Sequence, residues 1–206
     1  MGHNVDGSVS CMKNIRHNTG ESMSVEHTLV TVAAFEHFLA THPDGLYELV
    51  HGEIVEKVPT QEHAKIAAII LGELYIYLKH HPEIKAHLGP EVRYRPVSDP
   101  YNDRIPDVSL QLTDHPPVRR GAVAGMPDLA VEIKSPDDTY VSMRDKAEYY
   151  VQCGCSLVWL IYPEKRIVEV HQPGKDFDLL VGGDTLSGAE VLPGFTLAVE
   201  AVFGGE

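Results

Sequence analysis

The sequence predicts a single α/β (α+β) domain: a central mixed β-sheet flanked by helices, with an N-terminal helix and a β-hairpin ahead of it. Three observations predict this class. "PDLAVEIKSP", a helical stretch over Val141–Gln152 and "SLVWLIY" form a strand, helix, strand succession that suits a crossover over a sheet. Runs of period-two alternation on either side supply further strands. The chain has 206 residues, 43% of them hydrophobic and 23% charged, enough for one substantial core without staples.

The elements follow in order. The first 24 residues, "MGHNVDGSVSCMKNIRHNTGESMS", lack the apolar centre of a signal peptide, and residues 1–23 are expected to be a disordered extension before a domain over residues 24–206. In "TVAAFEHFLATHPDG", Val32, Phe35 and Leu39 stand at helical spacing until His42-Pro43-Asp44-Gly45 breaks the run. "LYELVHGEIVEKV" reads as a hairpin turning at His51-Gly52, where glycine can take the positive φ of a two-residue loop. That register sets Val50 opposite Glu53 and Glu48 opposite Val55, so Glu48 and Glu53 project from one side of the ribbon. After Pro59-Thr60 a long helix follows, with an apolar stripe of Ile66, Ile69, Ile70, Leu74, Tyr77 and Leu78 and with His63 on its inward face. "EVRYRPV" and "RIPDVSLQL" read as strands, and Thr113 to Gly125 as a polar loop. Beyond "SLVWLIY" come a turn at Pro163-Glu164, the strand "RIVEVHQ", and a tail punctuated by Gly182-Gly183 and Gly188.

Charge narrows the function. Seventeen Lys and Arg against thirty Asp and Glu give a net charge of -13, which excludes a generic basic footprint for nucleic acid. It does not exclude an enzyme that holds a divalent cation, since acidic ligands enlarge the apo count. Three cysteines, Cys11, Cys153 and Cys155, are an odd number without zinc-ribbon spacing, and a reducing, cytoplasmic compartment is expected. No window approaches eighteen consecutive apolar residues.

The chemistry sits in the strand "LAVEIK". Alternation sends Leu129, Val131 and Ile133 to one face and Ala130, Glu132 and Lys134 to the other. Buried ions without compensation cost several kcal/mol or more, so this Glu and Lys are expected to have partners or to bind an ion. Asp107, just after Pro106 at the head of a strand with Val108, Leu110 and Leu112 on its apolar face, is the natural companion. If the strands are neighbours, Asp107 and Glu132 can share a divalent metal, with the Ile133 carbonyl and water completing a hard, oxygen-only site suited to Mg²⁺. Lys134 would then lower the pKa of the metal's water or neutralise charge on a phosphoryl group.

Asp107 followed by Glu132-x-Lys134 resembles the PD-(D/E)xK nuclease superfamily, with the Pro-Asp pair literally present at Pro106-Asp107. More specifically, "YELVHGEIVEKVP", "RIPDVSL", "PDLAVEIKSP", "KAEYYVQCGCSLVWLIYPEKRIVEVHQP" and "DTLSGAEVLPGFTL" resemble, in the same order, the Uma-two family of restriction-endonuclease-like proteins. The resemblance runs from about Ser24 to the C-terminus. It implies a restriction-endonuclease-like core and cleavage of phosphodiester bonds in DNA with Mg²⁺ or Mn²⁺. Asp107 and Glu132 become metal ligands and Lys134 the catalytic lysine. It also implies a carboxylate from an early element near the metal, a place Glu53 or Glu48 would take, and a homodimer with two sites across a cleft.

Other roles stay open. His63 could orient water or phosphate, or simply pack; Lys146 could contact a substrate phosphate, or lie at the surface. Asp107, Glu132 and Lys134 could be a structural ion cluster. Two rival functions follow from the acidic balance: a noncatalytic nuclease-fold binding or assembly module, and a metal-dependent hydrolase of nucleotides or small phosphoesters. Scattering of Arg93, Arg95, Arg104, Arg119, Arg120 and Arg144 away from one groove would favour the module.

Overall fold

The computed structural model describes residues 28–205, so the extension expected over residues 1–23 lies outside the described residues. Helix α1 (Val32–Thr41) starts at Thr31, whose side chain caps the Ala34 N–H, and leads into the hairpin of β1 (Tyr47–Val50) and β2 (Glu53–Glu56). The hairpin has the expected register, Val50 opposite Glu53 and Glu48 opposite Val55. Its turn residues, His51 at φ 51° and Gly52 at φ 83°, both take the left-handed conformation of the turn type that matches strand twist.

Helix α2 (Gln61–His80) is capped by the Thr60 hydroxyl, which accepts the His63 N–H, a contact that stabilises by about 1 kcal/mol. It buries His63, Ile66, Ile70, Leu74 and Tyr77. Next come β3 (Ala86–Pro90), β4 (Tyr94–Arg95), β5 (Val108–Leu112), β6 (Val123–Ala124) and β7 (Leu129–Ile133). Helix α3 (Tyr140–Gln152), closed by a reciprocal Thr139 and Ser142 capping box, crosses to β8 (Leu157–Tyr162). After a 3₁₀ turn at Pro163–Lys165 follow β9 (Ile167–His171), β10 (Asp178–Leu180), β11 (Thr185–Ser187), β12 (Thr196–Ala198) and α4 (Val199–Val202).

Six strands form the central sheet in the order β10-β9-β8-β7-β5-β3, with β7 and β8 parallel and every other pair antiparallel. One face carries Val108, Leu110, Leu129, Val131, Ile133 and Trp159 against α2 and the C-terminal segment. The other carries Ala130, Val158 and Leu160 against Met143, Ala147 and Tyr150 of α3. All six residues of β8 are buried, as expected of a central strand covered on both faces, and each such side chain stabilises by about 1.5–3 kcal/mol. No helix among the described residues is long and apolar enough to cross a membrane.

Two expectations need correction. The run from Glu91 to Val97, expected to be one strand, is strand only at Tyr94–Arg95, and the preceding Ala86–Pro90 pairs with β5 instead. Gly89 and Pro90 look like breakers, yet β3 is the edge of the sheet, where a proline at the strand end forfeits no ladder bond. Glu91 then turns to φ 53°, and only Tyr94 and Arg95 pair again, with Val123 and Ala124 of the supposed loop.

Candidate active site

Asp107 follows Pro106 and is fastened before β5 begins. Its N–H donates to the Val131 carbonyl at 3.0 Å, and its Oδ2 accepts the Ile133 N–H at 2.7 Å. The carboxylate is thus keyed to β7 by backbone on both sides. His63 Nε2, from the first turn of α2, stands 2.9 Å from Oδ2, and Lys57 Nζ stands 2.6 Å from Oδ1. Lys57 lies one residue beyond β2; its ammonium also donates to the Ile105 carbonyl.

Glu132 points to the α3 face, as strand alternation requires. Its Oε1 accepts the Tyr150 hydroxyl and its Oε2 accepts Lys146 Nζ at 3.0 Å. Glu48 arrives from β1 because Leu49 exchanges backbone hydrogen bonds with Asp103, laying the hairpin along the segment that leads to Asp107. Glu48 Oε1 accepts the Ile105 N–H at 2.6 Å and lies 4.0 Å from Arg104 Nε. Arg104 sits over the rings of Tyr149 and Tyr150, at 5.3 and 5.5 Å, while its Nε and Nη1 have no hydrogen-bond partner. Ring faces and the Glu48 charge compensate it instead.

Glu48, Asp107 and Glu132 are each no more than 2% exposed. Three carboxylates meet three cations, Lys57, Lys146 and Arg104, which is how the cluster tolerates burial. The balance is uneven among them. Burial raises the Asp107 carboxyl, but the Lys57 charge and the His63 contact outweigh it and hold the group well below the usual carboxylate range. Glu48 is likewise net lowered, by Arg104, Lys146 and Lys57 against burial. Glu132 goes the other way: burial dominates, Asp107 and Glu48 add to it, and the carboxyl is held above its ordinary value despite Lys146 and Lys57. Lys57 and Lys146 are both raised, since the surrounding carboxylates outweigh the cost of burying an ammonium.

The cluster opens on a cavity of about 280 Å³, lined by Glu48, Lys57, His63, Asp107, Asp138 and Lys146 among others. A second cavity of about 300 Å³ shares His63 and carries Lys134, Thr60 and Glu164. Lys134 lines this second cavity: its Nζ is 3.3 Å from Glu164 Oε1, donates to the Ser135 carbonyl and lies over the Tyr140 ring. Glu53 stays exposed beside the hairpin turn and lines neither cavity. Glu48 is the hairpin carboxylate brought to Asp107, and Lys146 is bound to Glu132 rather than free at the surface. Lys57, Arg104 and Tyr150 are the residues that sequence reasoning missed as site members. A signal for Lys57 existed, because continued alternation past Val55 puts it on the side of the ribbon that carries Glu48. Among the described residues, no group of three or more His, Cys, Asp or Glu side chains is arranged to hold a metal ion.

A family model described as "Putative restriction endonuclease", Uma2, matches residues 32–200. The chain belongs to the Uma2 family. A solved structure titled as a "putative nuclease belonging to DUF820" from Anabaena variabilis ATCC 29413 superposes on this Uma2 protein with a TM-score of 0.71, covering 84% of this chain and 97% of that one. At 22% identity the likeness is one of fold. No curated protein matches the sequence. The matched span takes in every member of the cluster, from Glu48 to Tyr150.

Proposed function

We propose that this Uma2 protein is a metal-dependent nuclease that hydrolyses phosphodiester bonds in DNA at the Asp107 and Glu132 cluster. The observation that carries the reading is that two buried carboxylates, Glu48 from β1 and Asp107 from the head of β5, line a cavity open to solvent, with buried Glu132 of β7 joined to that lining through Lys146. Ionisable groups shifted by burial and by specific charge partners concentrate at functional clefts, and Glu48 and Asp107 are such groups. The donor types are those Mg²⁺ or Mn²⁺ takes: the acidic groups are hard oxygens, and Mg²⁺ is commonly held through one or two carboxylates with water and phosphate in the remaining positions, so a group of three protein ligands is not required. Asp107 and Glu132 would hold the ion, with Glu48 next to them. When bound, such an ion polarises a phosphoryl oxygen and activates water.

The chain's own residues set up the rest. Ile133 N–H and His63 orient the Asp107 carboxylate through Oδ2. Tyr150 and Lys146 hold both oxygens of Glu132, and Lys146 lines the cavity as a cation for phosphate. Lys134, across His63 in the adjoining cavity, is placed to meet charge on the substrate from the other side.

One observation favours the noncatalytic module instead. Arg93 and Arg95 both bind Asp103 and Glu36, Arg144 binds Glu169, Arg104 is buried, and Arg119 and Arg120 are exposed in the loop after β5. These cations do not form one DNA groove. The deciding experiment is nicking of supercoiled plasmid with Mg²⁺ or Mn²⁺, run beside nucleotide and small phosphodiester substrates, for wild type, Asp107→Asn and Glu132→Gln. The reading expects wild-type nicking lost in both variants. Cleavage of small substrates alone moves the assignment to a phosphoesterase, and an inert wild type moves it to the module.

A further inference from the structure

Asp107 presents two oxygens, and their surroundings differ. Oδ2 is committed to the protein by the Ile133 N–H at 2.7 Å and His63 at 2.9 Å. Oδ1 faces Lys57 at 2.6 Å, and the same ammonium donates to the Ile105 carbonyl. A carboxylate and a peptide carbonyl are the oxygen types a hard divalent cation takes. The Ile105 peptide is itself clamped, because its N–H donates to Glu48 Oε1 at 2.6 Å. The ammonium therefore sits in a rigid oxygen cradle made by β1, the head of β5 and their connection.

We propose that Lys57 is a tethered cation standing where the divalent ion would bind, so that a metal reaches Asp107 Oδ1 only by displacing it. The inference rests on the metal-dependent reading above. The arm that carries Lys57 suits the task. Its backbone N–H donates to the Leu46 carbonyl, which fixes the root of the side chain, while Val55 and Val58 beside it are 41% and 74% exposed. The Lys57 side chain itself is 14% exposed, at the rim of the cavity, so its four-carbon stem has a way out into solvent. A metal at ~2.0–2.1 Å from Oδ1 and an ammonium at hydrogen-bond distance from the same oxygen compete for one position. The arrangement keeps the buried carboxylates compensated while no metal is present and makes affinity weaker than the donors alone would give.

The test is calorimetric titration of the purified full chain with Mn²⁺ and with Mg²⁺, for wild type, Lys57→Met, Lys57→Arg and Asp107→Asn, each checked for folding by circular dichroism. The expected result is a Kd for Lys57→Met lower than wild type by ~10–100-fold, the range over which groups beside a metal alter its affinity. Lys57→Arg, which keeps the charge, should remain near wild type, and Asp107→Asn should lose binding. Unchanged or weaker binding by Lys57→Met, with Asp107→Asn still null, overturns the displacement and leaves the metal site standing. Absence of binding by wild type and Lys57→Met alike overturns both. Should Lys57→Met fail to fold, Lys57→Gln carries the same comparison.

Discussion

Replacing Asp107 by Asn tests how the cluster is held together. The carboxylate is 2% exposed and bound by Lys57, His63 and the Ile133 N–H. Asn keeps one oxygen, which at the Oδ2 position serves the Ile133 N–H and His63, but sets an amide NH₂ against the Lys57 ammonium and leaves Lys57 without its nearest counter-charge. Removing one partner of a buried pair costs about 3–5 kcal/mol, and the retained hydrogen bond argues for the lower end, about 3 kcal/mol. For a domain of this size about 2–4 °C of melting temperature accompanies each kcal/mol, so the variant should melt about 6–12 °C below wild type at pH 7. The pH dependence gives the argument a sign. Because the folded Asp107 carboxyl is held below its unfolded value of about 3.9, its stabilisation is complete above that value and is lost as pH falls toward the folded pKa. The gap between wild type and variant should therefore be constant from pH 7 to 5 and shrink below about pH 4. Thermal melts by circular dichroism across this range, without metal, make the measurement. A variant as stable as wild type at pH 7, or a gap that does not narrow in acid, refutes the reasoning.

Three further outcomes are expected. Glu132→Gln should behave oppositely: burial raises the Glu132 carboxyl, so its stabilisation is complete below the ordinary carboxylate value of about 4.3 and is lost as pH rises from there through the folded pKa, and the neutral variant should gain on wild type as pH rises above about 4.3 in the same melts. Arg104→Met strands Glu48 and should cost about 3 kcal/mol in urea unfolding, while adding Glu48→Gln should recover most of it, a coupling that a double-mutant cycle reads directly. Lys134→Ala, which loses contact with a half-exposed Glu164, should change stability by less than about 1 kcal/mol yet lower plasmid nicking by about 10²-fold or more; unchanged nicking with wild-type melting would remove Lys134 from the site.

What could be read from the chain alone was local and periodic. The hairpin register, the inward His63, the alternation that sends Glu132 away from the Leu129, Val131 and Ile133 core, and the crossover helix all follow from spacing within a few residues, where backbone geometry leaves little choice. The ordered blocks carried the family. Tertiary structure decided which charges meet. Lys57 reaches Asp107 across 50 residues of sequence, Glu48 bonds Ile105 across 57, and Lys146 turns to Glu132 from a helix whose outer face is otherwise exposed. Glu48 and Glu53 share a side of the same ribbon, and only the docking of β1 on the segment before Asp107 buries one and leaves the other in water. Strand β3 was hidden for a related reason: an edge position excuses a glycine and a proline that any central strand would reject, and edge or centre is a property of the assembled sheet. Local sequence sets which way a side chain points, and long-range packing sets what it finds there.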